Sequence, residues 1–141
     1  MQTLQILVGN ENIPGKAPAS LTNRLQACLL QMREVDGFIA GVVSRADGLV
    51  IQHTLQSAQE AATLCALAVA TVGSSRATAS RLGLGGFDHG FLVCDGGVLL
   101  LTGAGREAVL ACLLDTKSNL GMAKIIMARV AGMVETILAE A

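Results

Sequence analysis

Apolar and polar positions alternate in two periods along this chain, and together they predict eight elements. Leu4, Ile6 and Val8 alternate with polar or small residues, a strand-like period, and Gly9 to Ser20 holds both prolines and reads as a linker. Residues 1–19 are therefore an N-terminal arm or an extra edge strand. Ser20 suits an N-cap, and Leu21, Leu25, Cys28, Leu29 and Met32 follow at helical spacing, ending near Val35 before Asp36-Gly37. Phe38–Ser44 and Leu49–Thr54 are β-rich runs around the turn Arg45-Ala46-Asp47-Gly48 and read as a hairpin. Ser57–Leu82 predicts a long helix, with no proline, one interior glycine and no charge between Glu60 and Arg76. Gly83, Gly85 and Gly86 end it. Phe87–Cys94, Gly97–Thr102 and Glu107–Asp115 are three further strands, separated by Asp95-Gly96 and by Gly103-Ala104-Gly105-Arg106. Asn119 can cap a last helix, Leu120–Ala139.

Tight turns make the strand pairs antiparallel. The order helix-strand-strand-helix-strand-strand-strand-helix predicts an α+β fold over residues 20–141. It has a five-stranded antiparallel sheet between one long helix on one face and two helices on the other.

The long helix sorts into three faces at 100° per residue. Ala62, Ala66, Val69, Gly73 and Ser80 form a narrow stripe of mostly small residues, suited to another backbone at close range. Ala61, Leu64, Cys65, Ala68, Val72 and Ala79 form an apolar face suited to a sheet. Gln59, Glu60, Thr63, Ser74, Thr78 and Arg81 form a polar side, with Leu67 and Ala70 among them. On the sheet, Phe87, His89, Phe91 and Val93 share one face of their strand by period-two alternation.

Composition narrows the partners. The 141 residues suit one domain with a core large enough to need neither disulfide nor metal. Net charge is −1, only 15% of residues are charged, and Trp and Tyr are absent, so neither a basic face nor stacking rings are supplied for nucleic acid. A content of 52% hydrophobic residues suggests surface hidden in an oligomer. Cys28, Cys65, Cys94 and Cys112 form no CxxC pair and read as free thiols of a reducing cytoplasm. No signal peptide and no stretch long enough for membrane insertion is present.

Candidate chemistry is sparse. Val98–Asp115 resembles a strand, G-x-G-x-x-A and helix of a dinucleotide-binding unit, but Asp95-Gly96 makes its strand half of a hairpin. The acidic residue expected about 20 positions on would fall in the last helix. The competing reading, a β-turn followed by a buried strand, is preferred. No P-loop or G-x-S-x-G occurs, and two histidines with scattered cysteines lack zinc-site spacing. No catalytic residue, cofactor or metal is expected.

The run Val35-Asp36-Gly37-Phe38 to Ser44-Arg45-Ala46-Asp47-Gly48-Leu49-Val50 resembles the opening hairpin of the roadblock, or dynein-light-chain, domain. The long Ala-rich helix, Asp95-Gly96-Gly97-Val98-Leu99-Leu100 and Asn119-Leu120-Gly121 are similar to later stations of that domain, in the same order. The resemblance covers residues 20–140. It implies a dimeric, non-enzymatic scaffold or regulator of a small Ras-like GTPase, with GTPase activation one version of that role. A structural adaptor in motor-cargo linkage, or a small-molecule sensor, are the alternatives. It also implies a homodimer joined through the strand Phe87–Cys94, with Phe87, His89, Phe91 and Val93, and through the seam Ala62, Ala66, Val69 and Gly73. Gln59, Thr63, Leu67, Ala70, Ser74 and Arg81 would then face the partner. No arginine finger can be named on this basis; Arg76 and Arg81 are the nearest candidates, and Arg76 departs from the seam pattern.

Overall fold

The structure, a computed structural model, describes residues 16–140. Of the expected arm or edge strand at residues 1–19, residues 1–15 lie outside the described residues and 16–19 belong to the first helix. Helix α1 spans Lys16–Leu30 and tightens into one 3₁₀ turn at Gln31–Glu34. It begins four residues before the predicted start, so Ser20 lies inside it and does not cap it. The reason is Pro18, which falls in the first turn, where the missing N–H breaks no helical bond and a fixed φ suits the helix.

Strands β1 (Phe38–Arg45) and β2 (Val50–His53) form the first hairpin. Its turn is closed by Arg45 N–H donating to Leu49 O at 2.8 Å and Gly48 N–H donating to Arg45 O at 2.9 Å. Gly48 takes φ 94°, which only glycine adopts readily, and Asp47 accepts from the Leu49 N–H and pairs with Arg45. Helix α2 (Ala58–Arg81) follows, with the Ser57 hydroxyl accepting from the Glu60 N–H at 3.2 Å as the N-cap. Gly83, at φ 69°, closes its C-terminus by donating to Ser80 O. Strands β3 (His89–Cys94), β4 (Gly97–Ala104) and β5 (Ala108–Leu114) come next, then α3 (Leu120–Ala139), capped by the Asn119 side chain accepting from the Met122 N–H.

All strand pairs are antiparallel, in the order β2-β1-β5-β4-β3. The predicted sandwich is therefore present, with β2 and β3 as its edges. Antiparallel pairing of β4 with β5 also rules out a parallel dinucleotide-binding unit at Gly103–Arg106. β5 is a continuous apolar run because both of its faces are covered; Leu110, Ala111 and Cys112 are all fully buried.

Two cores flank the sheet. Under α1 and α3 lie large side chains such as Leu29, Met32, Leu110, Leu114 and Met127. Under α2 lie mostly small ones, Ala61, Cys65, Ala68 and Val72 against Val42, Val109 and Ala111, with Leu101 the bulkiest member.

Candidate interaction surface

The sheet-facing side of α2 agrees with its periodicity. Ala61, Cys65, Ala68 and Val72 are buried, three to four residues apart, while Leu64 and Ala79 of the same predicted face are half-buried. Burial raises the Cys65 thiol pKa, offset in part by the neighbouring Ser44 hydroxyl. The helix rests on β1, β5, β2 and β4.

The predicted seam is open on this protomer. Ala62, Ala66 and Gly73 are exposed, and a Cβ added at Gly73 would meet nothing within 4 Å. Val69 is half-buried and packs against the α2-side core. The stripe borders the first hairpin: a Cβ built on Gly48 would stand 3.7 Å from the Ala66 Cα. All six predicted partner-facing residues, Gln59, Thr63, Leu67, Ala70, Ser74 and Arg81, are exposed, with Leu67 at 59%.

The predicted strand face needs correction. β3 starts at His89, two residues after Phe87. Phe87 packs into the α2-side core, whereas Phe91 packs against the core on the opposite face of the sheet. Alternation could not carry through Phe87 because the backbone there is not yet extended strand. His89 and Phe91 do share a face, with ring centroids 5.7 Å apart and edge to face. His89 Nδ1 lies 2.6 Å from an Asp88 carboxylate oxygen.

β3 leaves its outer backbone edge without a strand partner among the described residues. Val93 is 71% exposed and Leu92 44%. Leu92 was not singled out from sequence. It pairs across from Leu99, which is half-buried and packs against the α2-side core, yet stays open because α2 rests on the other four strands. A long edge carrying exposed apolar residues is unusual unless something pairs with it.

No group of His, Cys, Asp and Glu among the described residues is arranged to hold a metal. The sheet order explains part of this: His53 stands on β2 and His89 on β3, at opposite edges. Burial raises the thiol pKa of Cys28 and, much further, of Cys112; Cys94 is exposed. No helix among the described residues is long and apolar enough to cross a membrane.

The Roadblock/LC7 domain family matches residues 22–114, about two-thirds of the chain. The chain belongs to the Roadblock/LC7 family. An uncharacterised protein of Methanocaldococcus jannaschii is similar at 34% identity over 109 residues, 77% of this chain and 92% of that protein. Among solved Roadblock/LC7-like structures, the gliding protein MglB of Thermus thermophilus superposes with a TM-score of 0.77, at 22% identity, over 86% of this chain and 93% of that one. An MglB in a tetrameric arrangement gives the same TM-score and identity over 86% and 92%. At those identities the likeness is one of fold.

Proposed function

We propose that this protein is a homodimeric, non-enzymatic regulator or scaffold of a small Ras-like GTPase, working in the cytoplasm. The observation that carries the proposal is the pairing of two features on a Roadblock/LC7 chain that are open among the described residues: a β3 edge with exposed Leu92 and Val93, and the outer surface of α2. Two copies would join β3 to β3 and extend one sheet across both protomers. The two α2 helices would then lie side by side along Ala62, Ala66, Val69 and Gly73. Gln59, Thr63, Leu67, Ala70, Ser74 and Arg81 of both copies would form one composite surface for the partner. The fold likeness to MglB, including one in a tetrameric arrangement, supports assembly of more than one copy.

Binding of this kind acts by preferring one nucleotide state of the partner, and the shift cannot exceed the difference in affinity for the two states. Any speeding of GTP hydrolysis would come from ordering the partner's own catalytic groups.

Two measurements test the proposal. Light scattering should give about twice the mass of 14.5 kDa. Gly73→Glu or Ala66→Glu should return the protomer mass by overpacking the seam and burying a charge. A dimer that survives both substitutions places the seam elsewhere on α2. Co-purification with a co-encoded small GTPase, loaded with a GTP analogue or with GDP, should favour one state. Absence of binding in both states overturns the GTPase reading and leaves the structural adaptor.

A further inference from the structure

Arg76 is the residue that the helix pattern left unplaced, and its environment is specific. Its guanidinium lies against the backbone of β4: a Cβ added at Gly103 would stand 2.6 Å from Arg76 Nη2. Arg76 is an exposed residue, and its guanidinium can approach this closely because residue 103 has no side chain. Among the described residues Arg76 takes part in no ion pair, and neither does Arg106 on the β4–β5 turn.

The two arginines line one open cavity of about 690 Å³. Its other walls are Ser80, near the end of α2, the glycines of Gly83–Gly86, and Phe87. Among the described residues no carboxylate lines it. Gly83 N–H is used in closing α2, as are those of Leu82 and Leu84. The glycine-rich stretch that follows has no side chain to obstruct close approach, and Gly85 carries φ 88°. Arg106 also borders a second cavity that holds Asp47, Glu107 and Glu135, but on this side two guanidiniums without ion pairs, a hydroxyl and side-chain-free backbone are the donors that a doubly charged oxyanion needs. Arginine suits this because its planar fork donates two parallel hydrogen bonds to a phosphate. The C-terminal end of α2 contributes carbonyl dipoles of the wrong sign, so the arginines must carry the attraction.

We propose that the cavity between the C-terminus of α2 and the β4–β5 turn is an anion site for a phosphate group, either free phosphate or a small phosphate monoester, held by Arg76, Arg106 and Ser80. The site lies apart from the proposed partner-facing residues other than at its border with Arg81. Ser80 continues the small stripe proposed as the dimer seam, so the cavity adjoins that seam, but its lining requires no GTPase.

The test is a two-dimensional NMR titration of the full chain with inorganic phosphate and, separately, with glycerol phosphate, against sodium chloride at equal ionic strength. Saturable shifts centred on Gly83–Phe87 and Arg106 are expected with phosphate and not with chloride. Arg76→Gln and Arg106→Gln should each weaken binding about tenfold or more, as expected for loss of a charged hydrogen-bond donor. Gly103→Ala keeps every charge but pushes the Arg76 guanidinium aside; weakening there distinguishes a built site from diffuse positive potential. Tighter binding of glycerol phosphate than of phosphate assigns the site to a monoester, and equal binding assigns it to the free anion. Shifts equal to those in chloride, or affinities unchanged in both arginine variants with their folds intact, would overturn the proposal.

Discussion

The two faces of the sheet are built differently. Under α1 and α3 the core is made of large residues, Leu29, Met32, Leu110, Leu114 and Met127 among them, and it runs the length of the sheet. Under α2 it is smaller and made largely of alanine, valine and cysteine, apart from Leu101. Buried apolar area sets the stabilisation, at roughly 25 cal/mol per Å², so the first face does most of the holding. The second face needs less from its helix. α2 rests on the sheet through one narrow line of small residues and leaves most of its circumference for other contacts. A protein that must present a helix to others can anchor it this way, provided the opposite face supplies the stability.

The largest effect should come from the heavily packed face. Leu110→Ala removes a fully buried side chain and should cost about 2–5 kcal/mol in urea denaturation. A cost near zero would mean that the two faces are not unequal in this way. Under α2 the sensitive change is enlargement. Ala68→Leu, at a fully buried position with small neighbours, should cost about 1–3 kcal/mol by overpacking. If it stabilises instead, the second core holds unfilled space.

A smaller loss is expected at the start of α2. Ser57→Ala removes the acceptor for the Glu60 N–H and should cost about 1 kcal/mol, measured as a fall in midpoint at unchanged slope. The pH response follows from the raised thiols. Cys112 in the first core has a folded pKa above its ordinary value of 9.0, because burial disfavours the thiolate. Its contribution to stability is therefore complete below about pH 9 and is lost as pH rises beyond it, since only the unfolded chain then releases the proton. Cys112→Ser should remove that part of the alkaline loss, which a denaturation series from pH 7 to 10 would read. The smallest effect on stability belongs to the bare side of α2. Leu67→Ser, at a 59% exposed position, should change protomer stability by no more than about 0.5 kcal/mol while weakening partner capture. A large loss of stability would show that Leu67 is structural.

Local chemistry made most of the elements legible. Asp47-Gly48 and Asp95-Gly96 marked the hairpins, Ser57 and Asn119 the caps, and Gly83 the end of α2, because each of these acts over three or four residues. Helical periodicity named the buried line Ala61, Cys65, Ala68 and Val72 correctly. The start of α1 was misplaced because Pro18 reads as a breaker in sequence but is harmless in a first turn.

What remained hidden depends on which elements become neighbours. Alternation could not show that Phe87 and Phe91 go to opposite faces, since that turns on where β3 begins. Nor could it single out Leu92, whose exposure follows from β3 lying at the sheet edge beyond the strands that carry α2. The seating of Arg76 against Gly103 joins residues 27 positions apart through the packing of α2 over β4, and no local pattern encodes it. By itself the sequence determined the order of elements, the caps of α2 and α3, the turns, and the sheet-facing line of α2, because turn, cap and period are set by short-range sterics and hydrogen bonds. Only the tertiary structure decided the strand order, the open edge and the cavity beside Arg76, because these arise when distant segments pack.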